Sequence, residues 1–116
     1  MYYSHHVKEG VLFLEFRGDL IGENHGPEVV SLVTEHIQND ILFCAIDISG
    51  LRYINSSGIG ILITILTKFR NRGGEVVLIN PSSTVLKLLY ITKLNAIFSM
   101  AQDEASAVAE LKKIHS

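Results

Sequence analysis

Asn55-Ser56-Ser57-Gly58-Ile59-Gly60 is the stretch of this chain best furnished for chemistry. Two adjacent hydroxyls lie between a short apolar run, Leu42 to Ile48, and a longer one, Ile59 to Arg70. A serine at the start of a helix can cap it, act as a nucleophile beside a base, or accept a phosphoryl group. The nucleophile elbow of hydrolases needs Gly-x-Ser-x-Gly, and Ile54 and Asn55 stand before Ser56, so the first glycine is missing. The only downstream histidine is His115, in a terminus expected to fray. A small esterase-like enzyme therefore ranks last among the readings, and no catalytic residue is assigned.

Capping and phosphorylation remain. Ser57 is the expected N-cap of a helix running from Gly58 to Arg72, with Gly73 stopping it in the left-handed conformation. Ser56 then lies on an exposed turn just before the helix. The unpaired amides and positive dipole there favour an anion by ~0.3–1 kcal/mol. A phosphate on Ser56 would add roughly −1.5 to −2 charges beside that partner. For a Ser-Ser-Gly taken alone, helix capping is the more ordinary role.

No other cluster offers competing chemistry. Adjacent His5 and His6 on a strand point to opposite faces, and His25, His36 and His115 complete no zinc spacing, so all five histidines read as surface residues and no metal is expected. Gly73-Gly74 lacks the Gly-Lys-Ser/Thr of a phosphate loop and reads as a helix end. Cys44 is alone inside an apolar run, which excludes an intramolecular disulfide and is compatible with a reducing cytoplasm.

The elements that must position Ser56 follow from the hydrophobic pattern. The 116 residues, 47% hydrophobic and 19% charged, suit one globular domain spanning 1–116. A net charge of −2 argues against direct nucleic-acid binding. The apolar run at Ile59 to Leu66 falls short of the ~20 residues that cross a bilayer, and no signal peptide is visible, so a cytoplasmic location without membrane insertion is expected. Met1 to Glu9 and Val11 to Phe16 suggest an antiparallel hairpin turning at Glu9-Gly10, ended by Arg17-Gly18-Asp19-Leu20. A loop over Ile21 to Pro27 precedes a helix to about Asn39, with Val29, Val30, Val33 and Ile37 apolar. Leu42 to Ile48 reads as a buried strand bounded by Ser49-Gly50. Strand Glu75 to Ile79 leads through Asn80-Pro81-Ser82 to a helix with Val85, Leu88 and Leu89 on one face. A short strand, Ile97 to Met100, precedes a closing helix, Asp103 to Ile114, carrying Ala105, Val108, Ala109, Leu111 and Ile114. Strands alternating with helices imply a mainly parallel α/β sheet made mixed by its opening hairpin.

Asp47-Ile48-Ser49-Gly50 followed by Ile54-Asn55-Ser56-Ser57-Gly58-Ile59-Gly60 resembles the motif of STAS domains, the anti-sigma factor antagonist family. Gly73-Gly74-Glu75-Val76-Val77-Leu78 and Val85 to Leu94 extend the likeness over nearly the whole chain. The resemblance implies a mixed sheet with about four helices mainly on one face. It implies phosphorylation at Ser56, the first serine of the pair, with Asn55, Ser56, Ser57, Gly58, Ile59 and Gly60 meeting a partner. That partner would be an anti-sigma factor acting as serine kinase, with a serine phosphatase resetting the switch; no cofactor is implied and no oligomeric state is assigned. Asn55 departs from the aspartate usual before the family's serine, which bears on kinase recognition. The second reading is a non-phosphorylated STAS subunit of a transporter or a lipid-transport ATPase complex.

Overall fold

The computed structural model describes residues 2–114, so His115 lies outside it. The chain opens with β1 (Tyr2–Lys8) and β2 (Val11–Leu20), joined where Glu9 and Gly10 both take positive φ, 55° and 77°, as a tight two-residue hairpin turn requires. Next come α1 (Gly22–Gln38), β3 (Phe43–Ile54), α2 (Ser56–Arg70), β4 (Glu75–Ile79), α3 (Ser83–Ile91), β5 (Ser99–Ala101) and α4 (Glu104–Ile114), with a 3-10 turn at Leu94–Ala96. The five strands lie in sequence order, β1 antiparallel to β2 and every later pair parallel.

That order explains the layers. Each parallel step moves one strand sideways in the same direction, so right-handed crossovers set α1, α2 and α3 on a single face. Leu12, Leu14 and Phe16 of β2 point to that face and join Ile46, Ile48, Val29, Val33, Leu62, Ile65, Phe69 and Leu89 in the main core. Val11 and Phe13 point the other way, to a smaller core with Ala45, Val77, Ala107 and Leu111 under α4. The alternation read along Val11 to Phe16 is the division between these two cores.

Several boundaries differ from the expected ones, each for a physical reason. β2 and β3 run past Gly18 and Ser49-Gly50, because their ladder absorbs irregularities between Glu15 and Arg17 and between Gly18 and Asp19. Asp47 Oδ1 accepts from the Ser49 amide at 2.9 Å and the Ser49 hydroxyl at 2.7 Å, which ties down the backbone at that point. α1 starts at Gly22, with Pro27 inside it. Proline there removes one early amide bond, while Gly22, Gly26, Val29, Val33 and Ile37 still bury one continuous stripe. The last strand is Ser99–Ala101 rather than Ile97 to Met100, because the Ile97 and Phe98 amides bond back to the Leu94 carbonyl at 3.1 and 3.0 Å, while the Ile97 carbonyl accepts from the Arg70 guanidinium at 2.6 Å. α4 buries Ala107 and Leu111, while Ala105 and Ala109 face solvent. Asp103 caps it by accepting from the Ser106 amide at 2.8 Å, which holds the Asp103 carboxyl below its usual range.

Ile46 is fully buried between Leu14 and Leu78 on the strand that leads to Ser56. Ile46→Ala is expected to cost about 2–5 kcal/mol, read as a lower urea midpoint at unchanged slope. A loss below about 1 kcal/mol would contradict the central place given to β3.

Candidate functional site

β3 ends at Ile54, which is buried, and the chain turns into α2 through one extended residue, Asn55, at φ −90° and ψ 177°. Asn55, not Ser57, is the N-cap: its Oδ1 accepts from the Gly58 amide at 2.7 Å. Asparagine caps at least as well as serine, and its position here gives it the right reach. The helix accordingly begins at Ser56, two residues before the expected start at Gly58, and its C-cap is Asn71. Ser57 is half-buried, its hydroxyl 3.2 Å from Asn55 Oδ1, with its single proton shared between that oxygen and the Glu23 carboxylate. Ser56 occupies the first helical position and is exposed. The two serines therefore have separate surroundings, with Ser57 tied into the loop and Ser56 facing outward.

The loop is held from below and from the side. The Asn55 amide donates to the Leu20 carbonyl at 3.2 Å, anchoring the turn to the end of β2. A Cβ on Gly58 would overlap that carbonyl, and one on Gly22 would overlap the Ser57 carbonyl, so the first turns of α1 and α2 meet where only glycine fits. Asn55 joins them: Oδ1 also accepts from the Gly22 amide at 3.3 Å, while Nδ2 donates to Glu23 Oε2 at 3.1 Å. The Ser57 hydroxyl, the Glu23 backbone amide and the Asn55 side chain, in that order, hold the exposed Glu23 carboxyl below its ordinary range.

Glu23 was not singled out in the sequence, where it stood in a presumed loop; its place in a first helical turn, where acids are favoured, is the signal that was open to reading. The first turn of α2 contains no acidic residue, and the Glu23 carboxylate of α1 reaches its N-cap residue. Along α2, Ser56, Gly60, Ile63 and Thr67 follow helical spacing as an outward stripe, with Ile63 38% exposed. Ile59 packs partly on the main core. Gly60 differs from Gly58, since a Cβ there would meet nothing within 4 Å. Thr64 is half-buried and donates to the Gly60 carbonyl at 2.8 Å. Beside the loop, Tyr53 is exposed and Arg52 pairs with Asp19 at 3.5 Å, a surface contact worth little.

No grouping of three or more metal-ligating side chains occurs among the described residues, and Cys44 is buried with its thiol pushed up by desolvation. His5 stacks edge-on to His36 and His6 lies flat on Phe13, as structural surface contacts. No helix among the described residues is long and apolar enough to cross a membrane.

Fold and site together define an α/β domain wound in one direction, with a capped serine-bearing helix start at the end of its third strand. The chain belongs to the STAS domain family, whose model matches residues 2–107. It is 26% identical over 113 residues to an anti-sigma F factor antagonist of Paenibacillus polymyxa, covering 96% of this chain and 93% of that relative. Its fold resembles that of a Thermotoga maritima protein described as a candidate anti-sigma factor antagonist, at a TM-score of 0.85, 20% identity, and 95% and 94% coverage. It also resembles the Bacillus cell-fate determinant SpoIIAA in its phosphorylated form, at a TM-score of 0.74, 18% identity, and 94% and 98% coverage.

Asn55→Ala removes the cap and the bridge between two helix starts, and is expected to cost about 1–2 kcal/mol by chemical denaturation. A variant as stable as the parent would remove Asn55 from its central place. Glu23 has a folded pKa below its unfolded one, so its contribution is present above the ordinary glutamate pKa and is lost as pH falls through the folded value. Glu23→Gln should therefore flatten the acid side of the stability profile, below about pH 4.5, and leave the alkaline side unchanged. An unaltered acid limb would show that Glu23 gains nothing from its partners.

Proposed function

We propose that this chain is a regulatory binding module of the anti-sigma factor antagonist type, controlled by reversible phosphorylation of Ser56, and no enzyme itself. The observation that carries the reading is the exposure of Ser56 at the first position of a capped helix whose own first turn has no acid. Support comes from the relatives, since anti-sigma factor antagonists stand among the similar proteins and one similar fold was solved phosphorylated.

In the unmodified state, Asn55 to Gly60 and the outward stripe of α2 form the docking surface. Gly60 leaves an open spot where partner backbone can approach closely. A partner serine kinase, itself the ATP-binding anti-sigma factor, transfers the γ-phosphoryl group of ATP to the Ser56 oxygen, with release of ADP and the hydroxyl proton. The added dianion then weakens the interface through the cost of desolvating it and through repulsion from nearby acids. A phosphatase restores the hydroxyl. The reaction belongs to the partners; this chain is their substrate and works in the cytoplasm where they do.

The test is capture from the native cell with wild type, Ser56→Ala and Ser56→Asp as baits, read by mass spectrometry for partners and phosphate. A kinase-like partner retained by wild type and Ser56→Ala and lost with Ser56→Asp is the expected result. Equal capture by all three, with no phosphate on Ser56, would replace the switch by a constitutive STAS subunit of a transporter or lipid-transport assembly. Gly60→Ala separates docking from folding: it should raise stability by about 0.5–1 kcal/mol while weakening capture. Unchanged capture would move the interface away from Gly60.

A further inference from the structure

The contacts around Asn55 carry a consequence for how charge at Ser56 is felt elsewhere in the fold. The Asn55 carboxamide divides its two ends: Oδ1 accepts from the amides of Gly58 in α2 and Gly22 in α1, and Nδ2 donates to the Glu23 carboxylate. Because Oδ1 is surrounded by donors, Nδ2 has one orientation left, toward Glu23. The carboxylate is thereby held next to the residue that precedes Ser56, since Asn55 Nδ2 donates to it at 3.1 Å. Glu23 is exposed and sits on α1 with no other constraint among the hydrogen bonds of the described residues than the Asn55 and Ser57 side chains and its own amide.

We propose that Glu23 is a positioning residue of the Ser56 switch: through Asn55 it ties the first turn of α1 to that of α2, and negative charge added at Ser56 breaks the tie. The inference rests on the phospho-switch reading for its biological use. A phosphate at Ser56 and the Glu23 carboxylate compete for the same positive helix end and the same few donors. Like charges repel, and the exposed Glu23 side chain has water to turn into, so its departure would free Nδ2 and loosen the 3.3 Å bond from Gly22 to Asn55. Phosphorylation would then change the surface at two helix starts, so that a partner reads the start of α1 as well as Ser56. The same geometry explains why asparagine suits position 55. An aspartate would keep the acceptor for Gly58 and lose the donor for Glu23, setting two carboxylates against each other.

The test installs phosphoserine at position 56 during translation, which needs no kinase, and follows the Gly22 backbone amide and the Asn55 side-chain amide by NMR. In the wild-type background, phosphate should speed Gly22 amide exchange about ten-fold and shift the Asn55 side-chain signals. Glu23→Gln keeps an acceptor for Nδ2 but removes the charge, so phosphate should then change exchange by less than about two-fold. Glu23→Asp, which restores the charge, should restore the response, and it also serves if the glutamine variant alters the fold. An equal response in wild type and Glu23→Gln, or none in either, overturns the proposal. Its failure is distinct from failure of the functional reading, because cellular capture and phosphorylation of Ser56 do not enter this measurement.

Discussion

One carboxamide governs the geometry of this domain's exposed end. Asn55 stands where β3 stops, and its side chain closes the first turn of α2 while reaching across to the first turn of α1. The two ends of an amide have opposite hydrogen-bonding character, so a network with donors on one side and a carboxylate on the other fixes its orientation. Glycine at 22 and 58 is the steric counterpart of the same contact, because any side chain at either place would strike backbone. A capping bond alone is worth about 1 kcal/mol. The larger effect is that two helices cannot shift independently without giving up bonds on both sides of Asn55.

The topology makes that meeting inevitable. In successive parallel β-α units every helix starts above the C-terminal ends of the strands, so helix dipoles from neighbouring units point their positive ends to the same edge. α1 begins directly after β2 and α2 directly after β3, two strands that are paired up to Leu20 and Ile54. Their positive ends therefore lie side by side, with Glu23 as the nearby acid and none in the first turn of α2. Each dipole end contributes only about 0.3–1 kcal/mol for a charge in its first turn. Two together give this edge a positive partial charge that Glu23 meets in part.

Much of the fold was legible in the sequence because its signals are local. Alternation along Val11 to Phe16, the Val-Val-Leu-Ile run of β4 and the Asn-Pro-Ser start of α3 each follow from side-chain pattern or turn chemistry within a few residues. Two of the errors share an origin in contacts between distant segments. Ser49-Gly50 looked like a strand end because the partner that carries β3 onward, the last part of β2, lies some thirty residues away. Gly22 looked like loop because its reason is the Ser57 carbonyl; the cap was misplaced on Ser57 for a local reason, since Asn55 and Ser57 cap about equally well and stand two residues apart. Ser56 was singled out by motif; Glu23 offered only the weak signal of an acid in a first helical turn, since its bond to Asn55 spans 32 positions of sequence.

On the proposed reading, what would suit the site to switching is how burial alternates across it. Ile54 and Gly58 are buried and carry the packing, Asn55 and Ser57 are half-buried and carry the bonds, and Ser56 alone projects into water. A group added to Ser56 need not displace anything in the core, so the fold survives modification while the surface changes. On the proposed reading, magnitude decides the outcome. A dianion that stays hydrated in the free domain costs little there, whereas burying it against a partner costs several kcal/mol. Every 1.4 kcal/mol is a factor of ten in affinity, so a penalty of about 3 kcal/mol takes a nanomolar contact above a hundred nanomolar. On that reading most of the free energy that separates the two states is generated at the interface, and any loosening of the two helix starts around Asn55 adds to it.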